Sequence, residues 1–229
     1  MSHAFKRGLD LAIAVPLLVL LTPLIVLVAL AIVIDSRGGA FYRCRRVGRN
    51  GSELWMLKFR KMRDGAGGPA LAAADDERFT RLGPFLARTK LDELPQLWNV
   101  VKGEMSLVGP RPEDPSFVDV HRAAYREILR VAPGITGLSQ LAFARESEIL
   151  DPDDRVGDYV RRILPQKVGM DRLYARRRSL RMDAQILWWT AAAVIVRRQV
   201  AVHRETGRMN LRAPREAVPA LTFEGQQLS

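Results

Sequence analysis

Residues 88–112 read R-T-K-L-D-E-L-P-Q-L-W-N-V-V-K-G-E-M-S-L-V-G-P-R-P. Pro95 has no N–H and its ring clashes with the carbonyl of Leu91, so a helix containing it begins at Leu91 or Asp92, with the proline in its first turn. Gly103 is the natural stop. Leu94, Leu97, Trp98 and Val101 recur at the spacing of one buried helical face, and Asp92, Gln96 and Asn99 fall opposite. Asp92 and Glu93 then lie at the positive end of the helix, where unpaired N–H groups favour anions. Consecutive helical side chains diverge by about 100°, so the two carboxylates suit different tasks better than one shared proton. Downstream, prolines on both sides fix the backbone of Arg111 and present its guanidinium rigidly, as bidentate phosphate recognition requires.

Moving outward towards the N-terminus, a helix opening at Pro84 delivers Arg88 next to Asp92. Residues 64–76 are rich in Gly, Ala and Asp with no period, and read as a flexible loop over or beside the site. Asn50-Gly51 is a hairpin signal, across which 41–47 pairs with 54–59. The hairpin carries Arg43, Arg45, Arg46, Arg49, Lys58, Arg60, Lys61 and Arg63, a basic face that suits anionic lipid at ~1 kcal/mol per charge near the surface.

Residues 11–34 carry no charge, which exceeds the ~20 apolar residues that a membrane span needs. The run is too long for the ~7 to 15-residue core of a signal peptide and no small-residue cleavage site follows, so it is expected to be retained. Lys6 and Arg7 precede it, and Arg37, Arg43, Arg45, Arg46 and Arg49 follow, which puts both ends on the cytoplasmic side. Pro23 removes the bond to the Val19 carbonyl and Thr22 can satisfy freed backbone groups with its hydroxyl. Each half then spans ~18 Å, enough to reach the bilayer midplane and return as a re-entrant helical hairpin.

Towards the C-terminus, 117–131 has helical spacing. In A-P-G-I-T-G-L-S-Q at 132–140, Gly134 and Gly137 either let backbone approach a ligand or simply make tight turns. Residues 158–182 read as further basic surface. The apolar stretch 183–196, with Trp188 and Trp189, is too short to span comfortably and suits an interfacial helix. From residue 201 the chain reads as a polar, mobile tail.

The 229 residues suffice for one domain and its attachments. With 36 Lys plus Arg against 25 Asp plus Glu, the net charge of +11 calls for an anionic partner. Cys44 is the single cysteine and cannot form an internal disulfide. His3, His121 and His203 lack metal-ligand spacing, which argues against zinc. A non-catalytic, membrane-attached adaptor for acidic lipid or nucleic acid would account for the charge, but not for the Asp-Glu pair or the Pro-Arg-Pro segment.

At 91–100, L-D-E-L-P-Q-L-W-N-V, and at 105–112, M-S-L-V-G-P-R-P, the chain strongly resembles the bacterial sugar transferase family, the small monotopic phosphoglycosyl transferases. Further likenesses lie at K-R-x-x-D (Lys6, Arg7, Asp10), the Thr22-Pro23 pair, K-F-R-x-M-R (58–63) and P-G-I-T-G-L-x-Q (133–140), so the resemblance covers residues 6 to about 189. It implies a mostly helical α+β fold. A re-entrant membrane helix (1–36) precedes one compact cytoplasmic catalytic domain with a small β-hairpin and interfacial helices (37–200), and a tail (201–229) follows. The implied activity is transfer of a phospho-sugar from a nucleotide diphosphate sugar, uridine by family habit, to polyprenyl phosphate at the cytoplasmic face of the bacterial inner membrane. By resemblance Asp92 is the nucleophile and Glu93 the Mg2+ ligand, and Lys58 and Arg60 adjoin the site with Arg111 and Arg88 as phosphate-binding candidates. Nucleotide sugar, lipid phosphate and bilayer are the implied partners, nucleic acid is not, and a homo-oligomer is left open.

Overall fold

The computed structural model describes residues 2–68, 71–73, 76–151, 153–196 and 199–211. Helix α1 spans His3–Asp35. It is the one described helix long and apolar enough to cross a membrane. Pro16 and Pro23 lie inside it, yet it stays helical throughout. The two expected halves thus form one continuous helix. A proline removes one backbone donor while the flanking bonds persist, and Thr22 Oγ1 donates to the Leu18 carbonyl at 2.8 Å.

Both ends of α1 are fastened to the same folded body. Near its start, Asp10 is buried and accepts from Ser106 Oγ at 2.8 Å and the Leu107 N–H at 3.2 Å. Lys6 pairs with Asp183 at 2.9 Å, and Arg7 donates to the carbonyls of Val100 and Val101. Lys6, Arg7 and Asp10, the residues of the K-R-x-x-D likeness, are thus anchored in protein. At the far end, Asp35 accepts from the Leu82 N–H at 3.2 Å. Between the ends a stripe of Ala14, Leu18, Leu21, Ile25, Val28, Ala29 and Ile32 packs on the domain, the spacing of one helical face. Val19, Leu20, Leu27, Leu30 and Ile34 remain exposed.

Strands β1 (Phe41–Val47) and β2 (Glu53–Phe59) form the expected antiparallel hairpin, Phe41 opposite Phe59 and Val47 opposite Glu53. Its turn places Asn50 at φ +57 and Gly51 at φ +79, the left-handed conformations these two residues tolerate. Cys44 is buried on the inner face and unavailable for chemistry in this state. Helix α2 (Gly83–Thr89) follows, then a tight turn at Leu91–Glu93 and helix α3 (Gln96–Lys102), closed by Gly103 at φ +87.

The carboxylates therefore precede α3 instead of lying in its first turn. The amphipathic reading of α3 is also corrected: Gln96, Leu97, Asn99 and Val100 are buried and Trp98 is half-exposed. The cause is Asn99, whose amide accepts from the Leu57 N–H and donates to the Trp55 carbonyl, both at 3.0 Å. It thereby satisfies the free edge of β2.

The rest of the domain runs β3 (Ser106–Val108), α4 (Pro115–Val120), α5 (Arg122–Ile128), β4 (Gly134–Thr136), α6 (Leu138–Ala142) and α7 (Arg155–Asp158). A π turn at Tyr159–Ile163 leads into α8 (Leu164–Arg177), followed by α9 (Leu180–Val196). β3 and β4 pair in parallel. A Cβ on Gly134 would stand 2.0 Å from the Gly109 nitrogen, and one on Gly137 2.2 Å from the Gly109 oxygen. These glycines admit another strand of the same chain, not a ligand.

Strands β5 (Val200–Val202) and β6 (Met209–Leu211) form a second hairpin whose Val200 and Met209 join the main core. Residues 201–211 of the expected tail thus belong to the folded part, and 212–229 lie outside the described residues. In α9, Ile186 is buried and Trp188 exposed, with Thr190 bonded to Thr136 at 2.7 Å, so one face is packed and the other is free for an interface.

Candidate active site

α2 ends at Lys90, which has φ +59. A lysine in this left-handed conformation is strained, at a cost of about 1–3 kcal/mol, and its turn drives the next residues back under β2. There Asp92 is only 1% exposed and its Oδ2 lies 2.8 Å from Lys61 Nζ. Its Oδ1 is buried with no hydrogen-bond partner. Glu93 points elsewhere: its Oε1 lies 3.1 Å from Lys58 Nζ and 3.5 Å from an Arg111 nitrogen. The divergence read from the sequence is realised, with a separate cationic partner for each carboxylate.

Lys58 reaches Glu93 because it shares the inward parity of Leu54 and Met56 on β2. Burial alone would raise the Glu93 carboxyl, but Lys58, Arg111 and Lys90 together hold it far below the usual carboxylate range. Arg111 is in turn held above its ordinary value: burial opposes its charge, and Glu93, Glu146 and Glu113 outweigh that.

Two sequence candidates bond elsewhere in this structure. Arg88 is exposed and donates to the Pro84 carbonyl at 3.3 Å. Arg60 is buried with its three nitrogens on the carbonyls of Gly39, Arg37 and Ser36, at 2.6, 2.7 and 2.9 Å. It clamps the segment that leaves α1, with Asp64 3.6 Å from its Nη1.

Behind Arg111 lies a polar cluster that the sequence did not announce. Lys167, 3% exposed in its side chain, pairs with Glu113 and Glu146 at 3.1 Å each and donates to Tyr159 OH at 2.9 Å. Tyr159 OH donates to Glu113 at 2.8 Å. The Glu113 backbone carbonyl accepts from the Val47 N–H at 3.0 Å, so this cluster ties the Pro-Arg-Pro loop to the hairpin. Asp171 accepts from Ser139 Oγ at 2.7 Å, and burial pushes its carboxyl up to about 7. The stretch that reads as basic surface therefore holds the support of Arg111.

No group of three His, Cys, Asp or Glu able to hold a metal occurs among the described residues. A protein-only cage is thus not what the site offers. A single hard carboxylate, Glu93, beside the Arg111 guanidinium fits Mg2+, which takes one or two carboxylates and draws other ligands from substrate and water.

The profile of the family described as bacterial sugar transferase matches residues 1–197. The chain belongs to the bacterial sugar transferase family. Among relatives, it is 39% identical over 194 residues to an undecaprenyl-phosphate glucose phosphotransferase of Komagataeibacter xylinus, covering 81% of this chain and 35% of the relative. It is 36% identical over 195 residues to a UDP-glucose:undecaprenyl-phosphate glucose-1-phosphate transferase of Caulobacter vibrioides, covering 83% and 69%. It is 34% identical over 210 residues to the exopolysaccharide production protein ExoY of Sinorhizobium fredii, covering 84% and 86%. The chain thus spans between about a third and about two thirds of the length of the first two relatives.

Within this bacterial sugar transferase, sequence reasoning missed Lys61 and the Glu113–Lys167 pair as site residues. Lys61 lies past the end of β2, where strand parity no longer predicts direction. Glu113 directly follows Pro112, and that adjacency was the available signal.

Proposed function

We propose that this chain is a phosphoglycosyl transferase that moves a phospho-sugar from a nucleotide diphosphate sugar, with uridine the expected nucleoside, to polyprenyl phosphate. The products are a polyprenyl-diphosphate sugar and a nucleoside monophosphate, the first membrane step of a bacterial glycan pathway. The observation that carries this reading is the pair of adjacent carboxylates with separate cations, Asp92 on Lys61 and Glu93 on Lys58 and Arg111. The names of the relatives above support the same substrate classes.

In this mechanism the Asp92 carboxylate attacks the sugar-linked phosphorus. The bond to the bridging oxygen breaks and its electron pair leaves with the nucleoside monophosphate, so an aspartyl phospho-sugar is formed and one displacement becomes two. The lipid phosphate then attacks the same phosphorus and restores the carboxylate. Arg111, held between two prolines, orients phosphate oxygens, and Lys58 offsets the charge that otherwise repels anion from anion. Mg2+ held by Glu93, when bound, supplies charge neutralisation on the diphosphate. Release of nucleoside monophosphate from a panel of nucleotide sugars, with polyprenyl phosphate present, tests the reading; no release from any donor rejects it. Chelation should reduce turnover to background, and Glu93→Gln should do the same while the thermal melt is kept. Undiminished turnover in excess chelator removes Mg2+ from the mechanism.

The membrane arrangement belongs to the same proposal. At 33 residues, α1 is about 50 Å long, against ~30 Å of hydrocarbon. Its two ends and its inner stripe are bound to one domain, which supports a helix embedded in one leaflet with both ends on the cytoplasmic face. The site is thereby held at the depth of a lipid phosphate. Cysteines introduced near residues 3 and 50 are both expected to be protected from an impermeant thiol reagent in intact cells, in a Cys44→Ser background. Labelling of one end alone means a crossing.

A further inference from the structure

Asp92 is the nucleophile of the proposed reaction, yet neither of its oxygens faces solvent freely: Oδ1 is buried without a partner and Oδ2 is tied to Lys61. Each cation in contact with the two carboxylates is already committed. Lys58 and Arg111 are on Glu93, and Lys61 is on Asp92. Lys90 also lies near both carboxylates. A donor diphosphate brings further negative charge, and a cation already in contact with the nucleophile answers it most directly by changing partner.

Of the three, Lys58 has the least exposed side chain, at 12%, while Arg111 and Lys61 stand at 26% and 27%. Arg111 is fixed by Pro110 and Pro112. Lys61 is fixed only in its backbone, where its carbonyl accepts from the Thr80 N–H at 3.0 Å. Gly83 packs so close to that carbonyl that a Cβ there would stand 2.2 Å away. The ammonium sits on a four-carbon stem with three rotatable donors. It can therefore exchange acceptors with no movement of the main chain.

Resting on the functional reading above, we infer that Lys61 is a donor-phosphate ligand held in reserve on Asp92. On donor binding its ammonium passes from Asp92 Oδ2 to a diphosphate oxygen, and the carboxylate is uncovered in the same motion. The nucleophile is kept covered by an ion pair until the phosphate that it attacks is present.

A double-mutant cycle on equilibrium binding tests this without turnover. Binding of a non-hydrolysable uridine diphosphate sugar analogue is measured for the full chain in detergent, and for Lys61→Met, Asp92→Asn and the double variant. In the wild type the ammonium must be withdrawn from a carboxylate, so Lys61→Met should weaken binding only by about threefold. In the Asp92→Asn background the ammonium is free, and the same substitution should cost about tenfold or more. Lys61→Arg, which keeps the charge, should restore most of the affinity and shows that loss of fold is not the cause. Equal losses in both backgrounds, or no loss in either, overturn the exchange. If the wild type binds no nucleotide diphosphate sugar, the functional reading itself is rejected, and with it this inference.

Discussion

Incubated with its nucleotide-sugar donor and no acceptor, the protein should retain phospho-sugar on Asp92 and release stoichiometric nucleoside monophosphate. Asp92 occupies the turn between α2 and α3 with a cation on one oxygen and none on the other, an arrangement that holds a carboxylate in place without filling both its lone-pair edges. Asp92→Asn keeps size and shape and removes the anion. It should abolish the label and lower turnover on the order of 10³-fold or more, as losses of a covalent nucleophile do. Steady-state kinetics should be ping-pong. Label on another residue, or substantial turnover by Asp92→Asn, assigns the attack to the lipid phosphate directly and leaves Asp92 as a partner for Lys61.

The second large effect is on stability and lies away from the reacting atoms. Lys167→Met leaves Glu113 buried without its cation, and removing one partner of a buried pair typically costs about 3–5 kcal/mol. Burial would raise the Glu113 carboxyl, and Lys167, Arg111 and the Tyr159 hydroxyl together outweigh it, so the same change pushes that carboxyl upward. Thermal melting in detergent should fall well below wild type, with Arg111 losing its fixed position and turnover falling as well. Combining Lys167→Met with Glu113→Gln should recover part of the stability, since both charges are then gone. A melt equal to wild type for Lys167→Met alone contradicts the buried pair.

Local rules carried much of the fold. The turn at Asn50-Gly51, the alternation on either side and the stop at Gly103 each depend on residues a few positions apart, and they appear where the sequence puts them. The exposed apolar face of α1 follows equally from its composition. What local rules could not reach was partner choice. Asn99 is polar and was placed on the outer face of α3, but the unpaired edge of β2 turned it inward. Lys167 and Asp171 read as surface because lysine and aspartate are rarely buried; a cluster from four separate segments made burial tolerable.

The candidate site divides the same way. Asp92, Glu93 and Arg111 were legible because the two carboxylates are adjacent and the arginine stands between two prolines, whereas the meeting of Arg111 with Glu93 across 18 residues is the work of the fold. Lys58 follows from strand parity. The sequence by itself determined that an apolar helix precedes a basic domain and that two carboxylates would diverge close to a rigid guanidinium. Only the tertiary structure decided which cations they meet. It chose Lys61 over Arg88 for Asp92 and spent Arg60 on the exit from α1. It also bound both ends of α1 to one body. The physical reason is that side-chain direction around a left-handed residue such as Lys90, and competition between cations for a few carboxylates, depend on contacts between segments distant in sequence, and no local pattern encodes them.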